Sequence, residues 1–454
     1  MAIVEKSLFG WRDADSEGDL YRLRMMMELL PDEILMKFME LFRGRGRNDY
    51  PIRPVWNSIL AGILYEHKSI ESLRRELLRN AQLREVCGFD PLSGAKAVPT
   101  SRAYSSFLKQ LLSLREHIEV MFDELVSQIK QEMPDYGHYL GIDSKGVNSA
   151  GKPNTKLKRD GRRDLDADWG KKEYRGERQD GSTWEKIVKW FGYKIHILAD
   201  TEYEIPIAYK VTRASIPDTG VLEELVEETA EKHPKIIDDA KELSADKGYD
   251  SEDNNKDLWD KHGIKPLIDI RNMWKDGKGQ TRPLYPDRAD NIVYDYKGNI
   301  YCHCPETDEC RSMAYQGFEK KRESLKYRCP AEAYGFKCKG KSTCSTNKYG
   351  RIVRIPIETD RRIFTPIARS SYAWQRQYKR RTAVERVNSR LDLSFGFEHH
   401  FIRGQAKMEV RVGLAMVVML GLVLGSIRAN KKNMMRSLVK PRKPPDKTVV
   451  GQVA

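Results

Sequence analysis

Apolar residues recur at intervals of three and four over two long stretches of the chain. The first stretch runs from about Leu20 to Ile129 and the second from Tyr372 to about Ala429. This spacing places apolar side chains on one face of a helix, so it predicts two helical regions. In the second helical region, the most apolar segment (Val412 to Ser426) is shorter than the roughly 20 residues of a membrane-spanning helix. This length favours a buried core helix.

Short apolar runs separate these helical regions and alternate with one amphipathic segment. The amphipathic segment, about Thr219 to Lys232, predicts a helix. The apolar runs predict strands at Tyr139–Ser144, Trp190–Ala199, Ile205–Thr212, Leu243–Asp246 and Ile264–Ile268. Strands mixed with helices indicate an α/β layer.

Three stretches lack this apolar periodicity. Residues 151–190 are rich in glycine and carry twelve Lys or Arg against eight Asp or Glu. They predict a solvated surface loop, and a flexible basic arm along a phosphate backbone is a compatible interpretation. Residues 271–363 are polar and irregular. The segment from Asn430 to Ala454 is basic and contains three prolines, which predicts disorder.

Composition limits the class of protein. The 454 residues correspond to two to four domains, and 80 Lys and Arg against 66 Asp and Glu give a net charge of +14. A charged fraction of 32% with 40% hydrophobic residues excludes a collagen-like chain, a disordered chain and a polytopic membrane protein. The positive excess favours nucleic acid or an anionic membrane surface as partner. The first residues do not resemble a secretory signal, so we expect a cytoplasmic protein.

Six of the seven cysteines fall within residues 302–344. They are Cys302, Cys304, Cys310, Cys329, Cys338 and Cys344. An odd, clustered set in a chain without a signal indicates thiols or metal ligands rather than a disulfide framework. Four of the six suit a structural Zn²⁺, but the usual CxxC pairs are missing. Free thiols in a β-rich insertion are therefore an open alternative.

Two aspartates close predicted strands. Asp143 ends the run that begins at His138, and Asp246 ends the run that begins at Leu243. A carboxylate at the end of a buried strand projects into a crevice at the edge of the sheet, and two neighbouring strands would bring two carboxylates together. Mg²⁺ suits such a pair because it takes few protein carboxylates and keeps positions for phosphate oxygens. Singly, each aspartate is as typical of a turn.

A third acid, Glu385, lies in the second helical region. Tyr378, Arg381 and Glu385 follow the spacing i, i+3, i+7 and share one helical face. On that face Glu385 would bind a metal ion, Arg381 would hold a phosphate and Tyr378 would donate to an oxygen. An Arg–Glu pair at i, i+4 is also typical of a surface ion pair.

Together these segments resemble the three motifs of bacterial insertion-sequence DDE transposases. The motifs are Gly141-Ile142-Asp143-Ser144, Ala245-Asp246-Lys247-Gly248-Tyr249-Asp250 and Tyr378-x-x-Arg381-x-x-x-Glu385. The N-terminal helical region is similar to the InsH-like domain of those elements, through Leu30-Pro31-Asp32 and the stretch Trp56 to Pro91. The resemblance covers most of the chain and is weakest over residues 271–363.

The resemblance implies an α/β catalytic core with a ribonuclease H-like mixed sheet flanked by helices. An all-α N-terminal domain and a Cys-containing insertion would complete the architecture. The expected segments are a helical DNA-binding domain (1–130), the first part of the catalytic core (131–270), the insertion with the Cys cluster (271–363), the helical end of the core (364–430) and a basic disordered tail (431–454).

The resemblance also implies a reaction. Asp143, Asp246 and Glu385 would hold two Mg²⁺ or Mn²⁺ ions for DNA cleavage at the element ends and strand transfer into target DNA. Double-stranded DNA would be the partner, a homodimer on paired ends the assembly, and the nucleoid the place of action. Two alternatives stay open: a catalytically silent DNA-binding protein derived from a transposon, and a metal-dependent nuclease without strand transfer.

Seven residues are candidates for DNA contacts. They are Tyr378, Arg381, Arg386, Arg390, Lys247, Arg102 and Lys109. The family motif places a lysine seven residues after the glutamate, where this chain has Asp392, so Arg386 or Arg390 would supply the basic contact. Arg102 and Lys109 lie on the polar face of a helix that begins after Thr100. That helix predicts either a helix-turn-helix variant or an ordinary three-helix bundle.

Overall fold

The computed structural model describes most of the chain between residues 18 and 436. The described part omits residues 44–48, 154–162, 179, 181, 276, 278, 288–289, 305, 308 and 346. Most of the predicted basic tail and residues 154–162 of the predicted basic arm therefore lie outside the described residues.

Seven α-helices fill the described N-terminal residues. They are α1 (Asp19–Leu29), α2 (Glu33–Arg43), α3 (Ile52–Leu64), α4 (Ile70–Arg79), α5 (Ala81–Cys87), α6 (Ser101–Ser113) and α7 (Glu116–Glu132). Ser69, Asn80 and Thr100 cap α4, α5 and α6, because each side chain accepts a hydrogen bond from the backbone N–H three residues further on. The predicted helix start at Thr100 is confirmed.

A mixed six-stranded sheet follows. Its strands are β1 (Tyr139–Asn148), β2 (Asp168–Glu177), β3 (Thr183–Asp200), β4 (Ile205–Arg213), β5 (Glu242–Ala245) and β6 (Lys265–Ile268). The order is β2-β3-β1-β5-β6, and β4 also pairs with β3. β3 is antiparallel to β1, β2 and β4, whereas β5 is parallel to β1 and to β6. Three helices lie between the strands: α8 (Asp218–Lys232), α9 (Pro234–Asp239) and α10 (Glu252–Asp260).

Residues 168–190 correct the sequence prediction. Instead of a loop or a flexible arm, β2 and the Thr183–Gly192 half of β3 form a two-stranded antiparallel ribbon. The prediction is wrong because both faces of the ribbon carry exposed and charged positions, so no apolar alternation marks its strands. For the same reason the predicted strand at Trp190–Ala199 is too short at its start.

Residues 271–363 are β-rich and have an apolar core of their own. One sheet has the order β10-β9-β8-β7, and the other has the order β11-β12-β13. The strands are β7 (Thr281–Pro283), β8 (Ile292–Asp295), β9 (Ile300–His303), β10 (Cys310–Ser312), β11 (Ala314–Glu319), β12 (Ser324–Arg328) and β13 (Ile352–Pro356). Two short helices, α11 (Pro330–Tyr334) and α12 (Lys341–Cys344), lie between β12 and β13.

Three helices complete the described C-terminal part: α13 (Tyr372–Tyr378), α14 (Thr382–Phe395) and α15 (Gln405–Arg428). α14 packs on β1 and β3, and α15 packs on α1, α3, α7 and β4. α15 is long and apolar enough to cross a membrane, yet 89% of its most apolar stretch is buried inside the fold. The buried core is continuous from the N-terminal helices through α15 to the central sheet.

Candidate active site

The first two predicted acids occupy equivalent positions on neighbouring strands. Asp143 lies in β1, and Asp246 follows directly after β5. The two strands are parallel, and the last pair in their register is Ile142 with Ala245. The next residue on each strand is therefore an aspartate, and this places both carboxylates at the same edge of the sheet.

The surroundings of Asp143 disfavour the ionised form of its carboxyl group. The pKa of Asp143 is raised to about 6: burial is the largest cause, the charge of Asp246 acts in the same direction, and Lys172 and Arg381 oppose the rise. The Asp143 Oδ2 atom accepts a hydrogen bond from Asn388 Nδ2 at 3.0 Å. Two acids side by side, one of them buried, form a place where a cation would be strongly stabilised.

Gly248, two residues after Asp246, has no room for a side chain. Asp246 Oδ1 accepts a hydrogen bond of 2.7 Å from the N–H of Gly248 and so caps the short 3₁₀ turn Lys247–Tyr249. A Cβ atom at Gly248 would lie 2.7 Å from that oxygen and 3.0 Å from Asp218 Oδ2. A side chain at this position would therefore displace two carboxylates.

The last two residues of this motif anchor it to the fold. Tyr249 is fully buried, and its hydroxyl lies 3.3 Å from Nδ1 of the buried His196. Burial lowers the pKa of His196 to about 4, so the imidazole is neutral at pH 7. Asp250 accepts a hydrogen bond of 2.5 Å from Arg362. The motif is thus held by neutral contacts on one side and an ion pair on the other.

A polar face of α14 is turned toward β1. Its residues follow one another at steps of three and four: Arg381, Glu385, Asn388 and Asp392. Arg381 Nη1 lies 3.9 Å from Asp143 Oδ1, and Arg381 Nη2 donates to Glu385 Oε1 at 2.5 Å. The guanidinium of Arg381 therefore lies between the first and the third predicted acid. The side chain of Glu385 is 50% exposed.

The helix predicted around Tyr378 is interrupted. α13 ends at Tyr378, and a 3₁₀ turn, Lys379–Arg381, separates it from α14. Tyr378 stacks on Trp374 with ring centroids 4.6 Å apart, and the Arg381 guanidinium lies 5.9 Å from the Tyr378 ring. Burial, the largest effect, raises the pKa of Tyr378 to about 12. The phenol and the guanidinium are thus neighbours, as predicted, although one continuous helix does not carry them.

Two of the predicted DNA contacts, Arg386 and Arg390, form ion pairs within the protein. Arg386 Nε donates to Glu204 Oε1 at 2.8 Å, and Arg390 is ion-paired with the other oxygen of the same carboxylate. The side chain of Arg390 is only 13% exposed. Its ion pair with Glu204 therefore holds the fold together, and little of the guanidinium is accessible to DNA. The lysine expected at the position of Asp392 is absent, and Asp392 instead forms an ion pair with Lys145 of β1.

Lys247, Arg102 and Lys109, three further predicted contacts, are accessible. Lys247 is mostly exposed, with its ammonium 3.5 Å from Asp269 Oδ2. Arg102 and Lys109 are exposed on α6, and Lys109 borders a groove of about 800 Å³ between the N-terminal helices and α15. These positions are open to a partner, and their predicted role in reading DNA stays a prediction.

Three residues near the acids were not among the predictions: Asn388, Lys145 and Lys172. Asn388 carries a recognisable signal, because it follows Glu385 by three residues on the same helical face. Lys145 and Lys172 carry none, because their places depend on strand pairing and on the ribbon. Lys172 Nζ donates to the carbonyl oxygen of Ser144 at 3.0 Å, beside Asp143.

The cysteine-rich region brings five thiols around one narrow cavity of about 40 Å³. They belong to Cys302, Cys304, Cys329, Cys338 and Cys344. Burial raises the pKa of Cys302 to about 12, and a hydrogen bond with Thr307, the largest effect, lowers the pKa of Cys304 to about 7. Cys310 is exposed and does not line this cavity. Of the six cysteines predicted as zinc ligands, five therefore line one cavity and Cys310 lies outside it.

Neither the acidic site nor the thiol cavity has the geometry of a complete metal-coordination shell. Within the described ranges, no three His, Cys, Asp or Glu side chains are grouped so that they could hold a metal ion. In the acidic site, Glu385 is paired with Arg381 instead. Metal binding there would require Glu385 to exchange this partner.

Comparison with known proteins identifies a sequence family and solved structures that this chain resembles. The sequence model of a family described as "Transposase DDE domain" matches residues 141–420. No curated protein matches the chain. Among solved structures, the cryo-EM structure of a piggyBac transposase synaptic complex with hairpin DNA is similar over 94% of this chain and 80% of that one, at 11% identity and a TM-score of 0.40. That last similarity is too low to support a conclusion.

Proposed function

The chain belongs to the transposase DDE domain family, and we propose that Asp143, Asp246 and Glu385 are the acids with which it cleaves and joins DNA. It is a DDE transposase, an enzyme of DNA cleavage and strand transfer. The observation that carries the residue assignment is the pairing of β1 with β5, which places Asp143 and Asp246 side by side. The polar face of α14 adds Glu385 through Arg381.

We propose a ribonuclease H-like arrangement for the catalytic core. The strand directions support it, since β3 and β4 form an antiparallel meander with β1 while β5 and β6 extend the sheet in parallel. The packing of α14 against β1 and β3 supports it as well. The β-rich residues 271–363 would then be an insertion between the second and the third acid.

DDE transposase domains use divalent metal ions, and we propose two Mg²⁺ or Mn²⁺ ions here. The donors fit, because carboxylates are the ligands that these cations prefer, and because burial, the largest cause, raises the pKa of Asp143, so that a bound cation would stabilise its ionised form. Bound ions would activate the attacking oxygen and stabilise the leaving oxygen. Asp143, Asp246 and Glu385 would together hold the ions.

The neighbouring side chains would orient the acids and the DNA. Asn388 donates to one Asp143 oxygen, and Arg381 lies 3.9 Å from the other. Arg381, once Glu385 exchanges partners, would hold a phosphate through two parallel hydrogen bonds, and Tyr378 would stand beside it. The partners would be double-stranded element ends and target DNA, bound by a homodimer at the nucleoid.

The first prediction concerns Glu385→Gln. We expect both Mg²⁺-dependent cleavage and strand transfer to fall by about 10² to 10³-fold, because a neutral amide is a poor ligand for a hard cation. The assay uses the full chain and duplexes that carry the element ends, identified as inverted repeats beside the coding sequence. Glu398→Gln, an exposed change beyond α14, is the matched control and should keep full activity.

The same assay separates the alternatives. A wild-type chain that cleaves the ends and does not join them is a nuclease without strand transfer. A chain that binds and does not cleave is a silent DNA-binding protein. Unchanged cleavage in Glu385→Gln would remove this residue from the proposed site.

We also propose that the five-thiol cavity holds a structural Zn²⁺. Thiolates are zinc's preferred ligands, and Cys302, Cys329 and Cys344 approach from β9, the N-terminus of α11 and α12. Asn291 Nδ2 lies 3.6 Å from Cys302 Sγ and 3.8 Å from Cys344 Sγ, so the cavity already orders two sulfur atoms. Four thiols would have to draw together around the ion.

The second prediction tests this cavity by metal content. We expect about one zinc per chain by mass spectrometry, and loss of that zinc in Cys329→Ser with Cys344→Ser. Cys310→Ser is the matched control, because this thiol lies outside the cavity and its removal should leave the zinc in place. A wild-type chain without zinc after metal-replete purification would identify the cysteines as free thiols.

A further inference from the structure

The β2–β3 ribbon bends back over the edge of the central sheet. On β3, Ser144 pairs with His196, whereas Lys172 pairs with Val188, eight residues away. In a straight strand those positions would lie about 26 Å apart, far beyond the reach of a lysine side chain. The contact of Lys172 Nζ with the Ser144 carbonyl oxygen therefore requires the ribbon to curl toward the acids.

The two faces of the ribbon differ in charge. Directly paired residues share a face, so the inner face, which carries Lys172, holds the even-numbered positions of 170–176 and 184–190. The described members of this face are Gly170, Lys172, Gly176, Trp184, Lys186, Val188 and Trp190. They include two lysines and no acid. On the outer face, the odd-numbered positions, the described side chains include two basic residues, Lys171 and Lys189, and two acidic residues, Glu173 and Glu185.

Tryptophans lie flat on the glycines of the inner face. A Cβ atom at Gly170 would lie 2.3 Å from the Trp190 ring, and a Cβ atom at Gly176 would lie 2.5 Å from Trp184 Nε1. Trp190 is buried and donates to the carbonyl oxygen of Tyr193 at 3.0 Å, which fixes the base of the ribbon. Trp184 is 38% exposed, so part of its indole is open for stacking.

We propose that the inner face of the ribbon is a DNA-binding surface that holds the strand beside the cleaved phosphate. The inference rests on the proposed function and adds a surface to it. Lysine side chains attract phosphates, and an exposed indole is a stacking surface for bases. Lys172 and Lys186 lie about 7 Å apart along the ribbon, or about two steps of a duplex strand. The outer face carries acidic as well as basic residues, so it lacks this excess of positive charge.

The third prediction compares the two faces in the full-length protein. The inner variant is Lys172→Gln with Lys186→Gln, and the outer variant is Lys171→Gln with Lys189→Gln, which removes the same charge from the same ribbon. The probe is a random-sequence duplex at several salt concentrations. We expect the inner variant to flatten the slope of log K against log salt by about 1.8 and the outer variant to leave it unchanged.

A second measurement does not depend on charge removal. A photo-crosslinking residue at position 186 should capture the duplex, and the same residue at position 189 should not. Trp184→Ala should weaken binding to a duplex with unpaired end bases by about tenfold and affect a fully paired duplex less. Circular dichroism melting checks that each variant is folded.

The outcomes separate this surface from the catalytic assignment. Equal effects of the inner and outer variants, or capture from both positions, would overturn the DNA-binding surface while Glu385→Gln still reported on the acids. A wild-type chain that neither binds nor cleaves DNA would overturn the proposed function itself. Self-crosslinking of position 186 to a second copy of the chain would replace DNA with protein as the partner.

Discussion

Asp143→Asn is expected to abolish catalysis and at the same time to stabilise the protein in the absence of metal. Loss of a carboxylate that would hold the metal ions removes several kcal/mol of transition-state stabilisation, so we expect cleavage and strand transfer to fall by at least about 10³-fold. The stability gain follows from the pKa of about 6 that burial, the largest cause, gives to Asp143. This is the fourth prediction.

The direction of the stability change can be derived from proton binding. Unfolded chains release this proton near the ordinary value of 3.8, whereas the folded chain holds it up to about pH 6. Between these values the folded state binds more protons, so stability falls as pH rises and stays lower above pH 6. About two pKa units correspond to about 3 kcal/mol. The neutral amide avoids this loss, and its advantage should vanish below about pH 4.

Urea denaturation at pH 4 and pH 8, with and without Mg²⁺, measures both effects. Mg²⁺ should stabilise the wild type at pH 8 and leave Asp143→Asn unchanged. Asp200→Asn is the control, because burial also raises the pKa of Asp200 to about 6, but its neighbours are backbone N–H groups and Glu202 rather than Asp246 and Glu385. Mg²⁺ should therefore still stabilise this control. An Asp143→Asn variant that Mg²⁺ stabilises normally would rule out Asp143 as a metal ligand.

Local sequence patterns were sufficient for the elements that hold the first two acids. The strand that ends just before Asp246 follows from its apolar run, whereas β1 continues past Asp143 to Asn148, so the end predicted for that strand is too early. Their adjacency also follows once the strands are taken as parallel neighbours. The helix at Glu385 follows from spacing, and the same spacing extended by three residues would have included Asn388.

The remaining features depend on contacts that the sequence does not display. β2 lacks apolar alternation, because its partner strand and its charges stabilise it rather than burial on one face. The break between Tyr378 and Thr382 has no glycine or proline to mark it. The pairing of Lys145 with Asp392 joins residues 247 positions apart, so no local pattern predicts it.

One buried carboxylate, Glu204, joins three separate segments. It lies in the turn between β3 and β4 and is only 5% exposed. Arg386 and Arg390 reach it from α14, and Arg436, beyond α15, lies 3.7 Å away. Arg390 also donates to the Glu204 carbonyl oxygen at 2.7 Å. Glu204 thus connects the helix that carries Glu385 to the central sheet.

The fifth prediction is that Glu204→Ala lowers the free energy of unfolding by about 3 kcal/mol. Removing one partner of a buried ion pair leaves the other charge uncompensated, and Arg390 is too enclosed to reach solvent. Arg386 and Arg436 are more exposed and can turn outward, so they contribute less. The measurement is urea denaturation, in which the midpoint should fall without a change in slope.

A double-mutant cycle decides whether Arg390 is structural or a DNA contact. Arg390→Met removes the buried charge, so Glu204→Ala with Arg390→Met should be more stable than the sum of the two single changes predicts. Arg386→Met is the matched control, with a smaller coupling because its side chain is exposed. If Arg390→Met left stability unchanged and weakened DNA binding, the basic contact predicted for this helix would be restored. The coupling energy therefore tests directly the role that the position of Glu204 gives to this arginine.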